Sequence, residues 1–362
     1  MSINWNTNLR TDTVPPSPSQ HKKPQRVRMI DIADAAGVSY SVVSAVLNDR
    51  RDSSIRVSEE TAERVRAIAR QLDYYPNVAA QILAKGKSRI IGVLIDTQAN
   101  SAYWEVFRRF ENLAANDGYR CLVGQAHDDE ENFRQLLNDF QAYNPAAVVA
   151  FAHAYPHCDF NLYPHLRQFA NIVLYGEENS PAPSFPAVDA DWEDCYYTLT
   201  QRSLAAGRRR IALMTSTPFY TKQYVAGYTR ALQEAGMPLQ PELLIPKTNA
   251  NKRGRDCKVM ASQLLEVRAD AFFAEDIIVA PLSNALQEHG VNVPDDIWLF
   301  GRDDEVFCTF MRPALSSINH NAQESAAALY ELTQSIIAGD TPAPKLHLVK
   351  AQLMERQSSR LS

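Results

Sequence analysis

The sequence predicts a short, all-helical N-terminal domain followed by a larger core of two α/β lobes. Three observations predict this fold class. Apolar residues recur at helical spacing between residues 28 and 72, short apolar strands alternate with helices from residue 90 onwards, and this alternation restarts after a proline-rich stretch at 180–188. A chain of 362 residues that is 45% hydrophobic is long enough to bury a sizeable core.

The first predicted helix covers residues 29–36 and ends at a glycine. Its apolar face contains Met29, Ile32, Ala33 and Ala36. Gly37 follows and can take the positive φ that a tight turn requires.

The second predicted helix covers residues 40–47, and Ser39 is expected to cap it by accepting hydrogen bonds from its first backbone N–H groups. Val43 and Leu47 are expected to face the first helix. The opposite face carries small, mostly uncharged side chains: Tyr40, Ser41, Ser44 and Ala45. Such a helix can lie in a DNA major groove with its first turn against base edges. Because many proteins that never touch DNA contain a similar helix pair, these residues alone leave both interpretations open.

A third amphipathic helix over residues 58–72 and the distribution of charge favour nucleic-acid binding. The formal net charge of −5 taken alone argues against it. However, residues 1–90 contain 14 basic and 9 acidic residues, a net charge of +5, whereas the remainder contains 23 and 33, a net charge of −10. A basic head on an acidic body is typical of a protein that presents one end to phosphate groups.

Three stretches, in this order and spacing, carry a resemblance to a known family: DIADAAGVSYSVVSAVLN, VSEETAERVRAIARQLDYYPN and AAQILAKGKSRIIGVLI. The chain resembles the lactose-repressor (LacI/GalR) family of bacterial transcription regulators, and the resemblance extends more weakly to about residue 356. It implies a helix-turn-helix DNA-binding domain followed by a two-lobed, periplasmic-binding-protein-like (type I) α/β effector core.

Four segments are expected along the chain: a disordered tail at 1–27, the DNA-binding domain at 28–75, a hinge at 76–88 and the effector core at 89–356. The tail is polar and lacks the apolar segment of a secretion signal, and no stretch is long enough to span a membrane. The five cysteines are scattered, which suits a reducing cytoplasm. We therefore expect a cytoplasmic protein without a membrane partner.

The resemblance implies that the hinge also contacts DNA, through Asn77, Ala80 and Leu83. Residues 77–83 are too few to form a stable helix alone in water. We expect this segment to fold only on DNA, where Leu83 would enter the minor groove and kink the duplex.

The core is expected to contain two doubly wound lobes, with a ligand cleft beyond the carboxyl ends of their parallel strands. The predicted strands cover residues 90–95, 119–123, 147–151, 171–175, 210–214, 271–274 and 297–300. The predicted helices cover residues 104–117, 130–143, 162–169, 192–206, 222–235, 256–265 and 278–289. The family resemblance further implies that the last strand and helix, through Ile337, return to the first lobe.

No motif of a common enzyme class is present in the sequence: it contains no GxSxG, Walker A, GxGxxG or HExxH pattern. One group of residues could suggest a metal site: His153, His157, Cys158 and His165. Pro156 and Pro164 interrupt any regular ligand spacing, so ordinary loop histidines are the simpler interpretation. We expect neither catalysis nor a cofactor.

The resemblance also implies which residues line the effector cleft: Tyr103, Trp104, Tyr224, Glu275, Asp303 and His320. Asp303 aligns with an acid that accepts hydrogen bonds from sugar hydroxyls. Tyr224 stands where sugar-responsive members often have an arginine. A phenol cannot make the forked hydrogen bonds of a guanidinium, which puts the usual sugar effector in doubt and argues against a strongly anionic one.

The sequence thus predicts a homodimeric regulator, a repressor, whose affinity for a palindromic DNA operator is controlled by a small molecule, a sugar or a related polar metabolite. Two alternatives stay open. A solute-binding protein of a transport system shares the core fold but needs an export signal and lacks the head. A cytosolic α/β enzyme needs catalytic groups that converge in the cleft.

Overall fold

The chain divides into two compact units, residues 1–86 and residues 87–362. A computed structural model describes residues 27–47, 55–74, 88–96, 99–125, 129–151, 163–176, 185–215, 218–246, 256–343 and 345–359, except for the side chains of 218–221.

The first unit contains three helices: α1 (Met29–Ala36), α2 (Tyr40–Leu47) and α3 (Glu59–Gln71). Gly37 ends α1 with a φ of 64°, as the tight turn requires. The hydroxyl of Ser39 accepts a hydrogen bond from the Val42 N–H over 3.4 Å, so the predicted cap of α2 is confirmed. Ser58 caps α3 in the same way by accepting from the Thr61 N–H.

One apolar cluster holds the three helices together, and it contains the residues that periodicity predicts. Its fully or nearly fully buried members are Ile32, Ala33, Ala36, Val43, Val65 and Ala69. Leu47 and Ile68 are partly buried against them. Among the described residues no single helix is long and apolar enough to span a membrane. The pair formed by α1 and α2 has the required length and composition, but the two helices meet at 111°.

The second unit consists of two lobes, each with a six-stranded sheet. The sheet of lobe 1 has the strand order β11-β5-β4-β3-β1-β2, and all its pairs are parallel. Its strands are β1 (Ile90–Leu94), β2 (Arg120–Gly124), β3 (Ala147–Phe151), β4 (Ile172–Tyr175), β5 (Ala187–Ala190) and β11 (Leu346–Val349). The helices that accompany them are α4 (Ser101–Asn116), α5 (Glu130–Tyr143), α6 (Tyr163–Leu166) and α11 (Ala322–Ala338).

The sheet of lobe 2 has the order β12-β10-β9-β8-β6-β7, and only β12 runs antiparallel to its neighbour. Its strands are β6 (Ile211–Thr215), β7 (Leu244–Pro246), β8 (Ala271–Phe273), β9 (Trp298–Arg302), β10 (Ser316–Asn319) and β12 (Gln352–Met354). The helices that accompany them are α7 (Trp192–Ala205), α8 (Pro218–Glu234), α9 (Cys257–Glu266) and α10 (Asp276–Glu288). The two doubly wound lobes are therefore confirmed.

The chain crosses between the lobes three times, from β5 to α7, from β10 to α11 and from β11 to β12. The crossing segments are joined to one another, because the Asp191 N–H donates to the Val349 carbonyl over 2.8 Å and the Asn321 amide donates to the Lys350 carbonyl over 3.2 Å. The prediction for the end of the chain is half right. Helix α11 returns to lobe 1, but the strand before it, β10, pairs with β9 in lobe 2.

The sequence predicts none of β5, β7, β11 and β12, and it gives no range for the strand before α11, which is β10. Each has only three or four residues, and β10 is the polar sequence SSIN. Such strands lack the apolar run or alternation from which a strand is recognised.

Candidate functional site

In the N-terminal unit, the first turn of α2 presents the side chains that were predicted to read DNA. Tyr40 has 54% of its surface exposed, and Ser41 is also exposed. Ser44 is partly buried, and the Ser39 hydroxyl is engaged in capping the helix. These residues form a mostly polar, uncharged face at a helix start, which can lie against base edges in a major groove.

The prediction that Ala45 lies on this exposed face is wrong, because only 9% of its surface is accessible. At about 100° per residue, Ala45 is only about 40° around the helix from the exposed Ser41, so helical spacing alone does not predict its burial. The remaining predicted DNA contacts, Asn77, Ala80 and Leu83, lie outside the described residues.

In the second unit, polar side chains from both lobes meet where strands end. Asp303 follows β9, and its Oδ1 lies 2.9 Å from the Nε2 of His320, which follows β10. The other ring nitrogen of His320 lies 3.4 Å from the hydroxyl of Tyr175, the last residue of β4 in lobe 1. The ring of Tyr103 in α4 packs edge-on against that of His320, with centroids 5.4 Å apart. All four side chains are at least 90% buried, so they form a buried polar cluster between the lobes.

Arg302, the last residue of β9, supplies a guanidinium that sequence reasoning placed nowhere in the cleft. Its Nη2 donates to Glu275 Oε1 over 2.8 Å, its Nη1 donates to the Tyr224 hydroxyl, and its Nε lies 3.4 Å from Asp303 Oδ1. The Tyr224 ring is also within cation–π range of the guanidinium, 4.9 Å from its centre. A guanidinium therefore lies beside Tyr224, although position 224 itself carries no arginine.

Burial alone would lower the pKa of Arg302, but Tyr224, Asp303 and Glu275 raise it well above its ordinary value. The guanidinium thus stays charged, and two carboxylates balance it. Burial, as the main cause, also raises the pKa of the Tyr103, Tyr175 and Tyr224 phenols, so these groups are neutral hydrogen-bonding partners at neutral pH.

Trp192, at the start of α7, is a second cleft residue that the sequence does not reveal. Its ring packs against His320 with centroids 4.7 Å apart and lies 5.7 Å from the Arg302 guanidinium carbon. Its indole N–H donates to Asp189 Oδ1 over 3.2 Å, and this carboxylate also accepts from the Ala190 N–H. The AVDADW stretch at 187–192 contains both residues, but its strand is short and follows a proline-rich segment.

The structure brings five of the six predicted effector residues together: Tyr103, Tyr224, Glu275, Asp303 and His320. The sixth, Trp104, is partly buried and packs edge-on against Phe107 in lobe 1, with centroids 6.0 Å apart. Of these two tryptophans, Trp192 contacts the polar cluster through His320, whereas Trp104 packs against Phe107.

Asp276 holds the loop that carries Asp303 in place. Ser317 donates to its Oδ1 over 2.7 Å, and the Glu305 N–H donates to its Oδ2 over 2.8 Å. A Cβ at Gly301 would lie 1.5 Å from this carboxylate, so the strand must carry a glycine there. Burial, followed by the charge of Asp303, raises the pKa of Asp276 to about 7. Asp276 therefore supports the loop that carries Asp303.

Among the described residues of the cleft, the contact between His320 and a hydroxyl group does not form an activated nucleophile. The hydroxyl in contact with His320 belongs to Tyr175, whose raised pKa keeps it protonated rather than activated as a nucleophile. No group of three potential metal ligands occurs within the part of the chain that the structure describes. Of the histidines and the cysteine between residues 153 and 165, His165 lies 3.1 Å from Glu130, and the other three residues lie outside the described ranges.

Comparisons with known proteins agree with this architecture. Residues 28–77 match the family described as bacterial regulatory proteins, lacI family, and residues 200–359 match the periplasmic binding protein-like domain. The chain is 23% identical to catabolite control protein A of Priestia megaterium over 92% of this chain and 99% of that protein. It is 28% identical to the ribose operon repressor of Bacillus subtilis over 85% of this chain and 90% of that protein.

Among solved structures, the lac repressor dimer bound to operator and an anti-inducer resembles this chain with a TM-score of 0.74. The similarity covers 92% of this chain and 99% of the other, at 21% sequence identity. At this identity the comparison shows a shared fold. The two-unit order of a helical head and a two-lobed core is thus common to both proteins.

Proposed function

Because the chain belongs to the LacI family of bacterial regulatory proteins, we propose that it is a transcriptional repressor that binds a palindromic DNA operator as a homodimer and responds to a small polar effector in the cleft. The observation that carries this proposal is the family match over residues 28–77, which coincides with a three-helix head whose α2 exposes Tyr40 and Ser41. A repressor acting on bacterial DNA works in the cytoplasm.

The shape of α2 and the exposed arginines of the head support DNA binding. Its described part carries five exposed arginines: Arg28, Arg56, Arg64, Arg66 and Arg70. Arginines of this kind bind phosphates and position the protein, while the first turn of α2 reads base edges. We propose that Ser39, Tyr40, Ser41 and Ser44 lie at the operator.

The cleft supports a small polar effector. Buried hydrogen-bonding groups from both lobes surround one cluster, and aromatic rings flank it, as in sites that bind hydroxylated ligands. One relative is named a ribose operon repressor, which agrees with an effector of the sugar class. The charge of Arg302 is balanced by Glu275 and Asp303, which favours a neutral effector over a strongly anionic one.

Several exposed apolar side chains beside the carboxyl ends of β8 and β9 support the homodimer. Ile277, Val306 and Phe310 expose 48%, 71% and 73% of their surface. Ile277 follows Asp276 in sequence, and Val306 follows Glu305. Because the Glu305 N–H donates a hydrogen bond to Asp276, Ile277 and Val306 lie close together. Covering such side chains with a second copy of the chain removes apolar surface from water.

Capture of genomic DNA on the purified protein tests the proposed function. We expect a small number of fragments to be retained, and a sugar or related neutral metabolite to change their retention. Uniform weak retention of all fragments, unaffected by metabolites, would show that the chain does not act as a specific repressor. A turnover screen on the same metabolites separates the regulator from the enzyme alternative.

Asp303→Ala is expected to weaken binding of the effector identified in that capture experiment. The carboxylate accepts hydrogen bonds, and its removal leaves ligand hydroxyls without a partner at a cost of about 1–3 kcal/mol. Titration calorimetry measures the change, with Glu324→Ala, an exposed acid at the start of α11, as the control. An unchanged affinity in a folded Asp303→Ala protein would remove Asp303 from the site.

Leu83→Ala is expected to weaken operator binding roughly tenfold and to reduce DNA bending, because the inserted side chain unstacks a base step and gives access to more DNA surface. Gel-shift and circular-permutation bending assays measure both effects. The neighbouring variant Ile82→Ala is the matched control, since it removes an apolar side chain from the same segment. Native affinity and a native bend angle in Leu83→Ala would refute this role.

A further inference from the structure

Glu305 joins the two lobes directly. Its carboxylate accepts two hydrogen bonds from Ser101, one from the backbone N–H over 3.0 Å and one from the hydroxyl over 2.7 Å. Ser101 is the first residue of α4 in lobe 1, whereas Glu305 follows β9 in lobe 2. These two hydrogen bonds form an interlobe bridge.

The interlobe bridge is separate in sequence from the segments where the chain crosses between the lobes. Ser101 begins α4 and Glu305 lies in the loop after β9, so neither residue belongs to a crossing segment. The bridge is therefore a contact between the lobes in addition to the covalent crossings.

The bridge is also attached to the effector site at both of its ends. Asp303 precedes Glu305 by two residues, and Tyr103 follows Ser101 by two. The loop between Asp303 and Glu305 is constrained, because Asp303 and Asp304 have φ values of 103° and 51° and the Glu305 N–H is held by Asp276. A shift of Asp303 is therefore transmitted to Glu305 over a short, restrained segment.

Helix geometry favours this contact. The first N–H groups of a helix have no partner within the helix, and a carboxylate at that end is stabilised by the helix dipole. In α4, Asn100 accepts from the Tyr103 N–H, and Glu305 accepts from the Ser101 N–H. Closure of the lobes thus gives the Ser101 N–H a hydrogen-bond acceptor, whereas opening would expose this N–H to water.

We propose that Glu305 is a positioning residue that holds the lobes closed over the effector cleft and transmits effector contact at Asp303 to the lobe arrangement. This inference rests on the proposed effector cleft. An effector that binds both Asp303 and Tyr103 joins lobe 2 to lobe 1, as the bridge does. The effector and the bridge therefore both stabilise the closed arrangement, and each is expected to strengthen the other.

Hydrogen exchange and small-angle X-ray scattering on the full chain test the proposal without requiring the effector. In Glu305→Ala, the Ser101 amide is expected to exchange roughly threefold to tenfold faster, because hydrogen bonds to a partly buried surface carboxylate contribute modestly to closure. The radius of gyration is expected to increase. Glu305→Gln keeps an acceptor oxygen and is expected to lie between the wild type and Glu305→Ala. Glu266→Ala, which removes an exposed acid from α9 in the same lobe, is expected to change neither quantity.

Ser101→Ala provides a second variant at an exposed position and removes only the hydroxyl half of the bridge. We expect a smaller increase in exchange than in Glu305→Ala. Wild-type exchange in both variants would overturn the bridge, and faster exchange with an unchanged scattering curve would overturn its closing role. Binding of the same proteins to captured DNA is measured separately, so that a failure of the repressor function is distinguished from a failure of the bridge.

Discussion

Arg302→Ala is expected to lower the free energy of unfolding of the core by about 3–5 kcal/mol, since removing one partner of a buried ion pair leaves the other charges without compensation. Here the stranded groups are Glu275 and Asp303, whose side chains are 14% and 8% exposed. For a unit of this size the loss corresponds to a decrease in Tm of roughly 5–9 °C. Calorimetry of the full chain measures it.

Arg312→Ala is the matched control, because Arg312 is an exposed arginine whose guanidinium donates to backbone carbonyls of neighbouring residues. A triple variant, Arg302→Met with Glu275→Gln and Asp303→Asn, removes the charges together and is expected to recover part of the stability. Equal Tm values for Arg302→Ala and Arg312→Ala would show that the arginine does not balance buried charge.

Operator affinity is expected to fall about a thousandfold between 50 and 200 mM monovalent salt, if three arginines of each head bind phosphates and the dimer releases about six counterions. Binding titrations over this range measure the slope of log affinity against log salt concentration. Each arginine that binds a phosphate in both heads is expected to lower this slope by about two when it is replaced by alanine.

Arg134→Ala serves as the control for the salt series, since Arg134 is an exposed arginine of α5 in the core and is not expected to reach DNA. A salt-independent affinity would contradict phosphate binding by the head. A slope that changes as much in Arg134→Ala as in Arg64→Ala would show that the effect comes from overall charge and not from contacts made by the head.

The head could be predicted from sequence because its structure depends on short-range patterns. Gly37, Ser39 and the apolar spacing of Ile32 and Val43 each act within one or two helical turns, so neighbouring residues are sufficient to recognise them. Ala45 is the exception. Its spacing and small size suggested an exposed face, but the burial of a single methyl depends on how adjacent side chains pack.

The cleft could be predicted only in part, because it is assembled from distant segments. Asp303 and His320 follow from aligned motifs, whereas Arg302 and Tyr224 are 78 residues apart in sequence and meet only when β9 and α8 pack in lobe 2. The tyrosine at 224 indicates only that this position supplies no guanidinium. Strand β9 supplies a guanidinium through Arg302, and no local sequence pattern predicts that Arg302 contacts Tyr224.

Selection of binding sites from random duplex DNA by the full-length protein tests the central claim most directly. A homodimeric repressor with one recognition helix per subunit reads two short half-sites related by a two-fold axis. The enriched sequences are therefore expected to form an inverted repeat, and Ser41→Ala should relax the preference at one symmetric pair of positions while a core variant such as Arg134→Ala does not. Enrichment of no sequence, or of a single site without symmetry, would contradict the dimeric repressor.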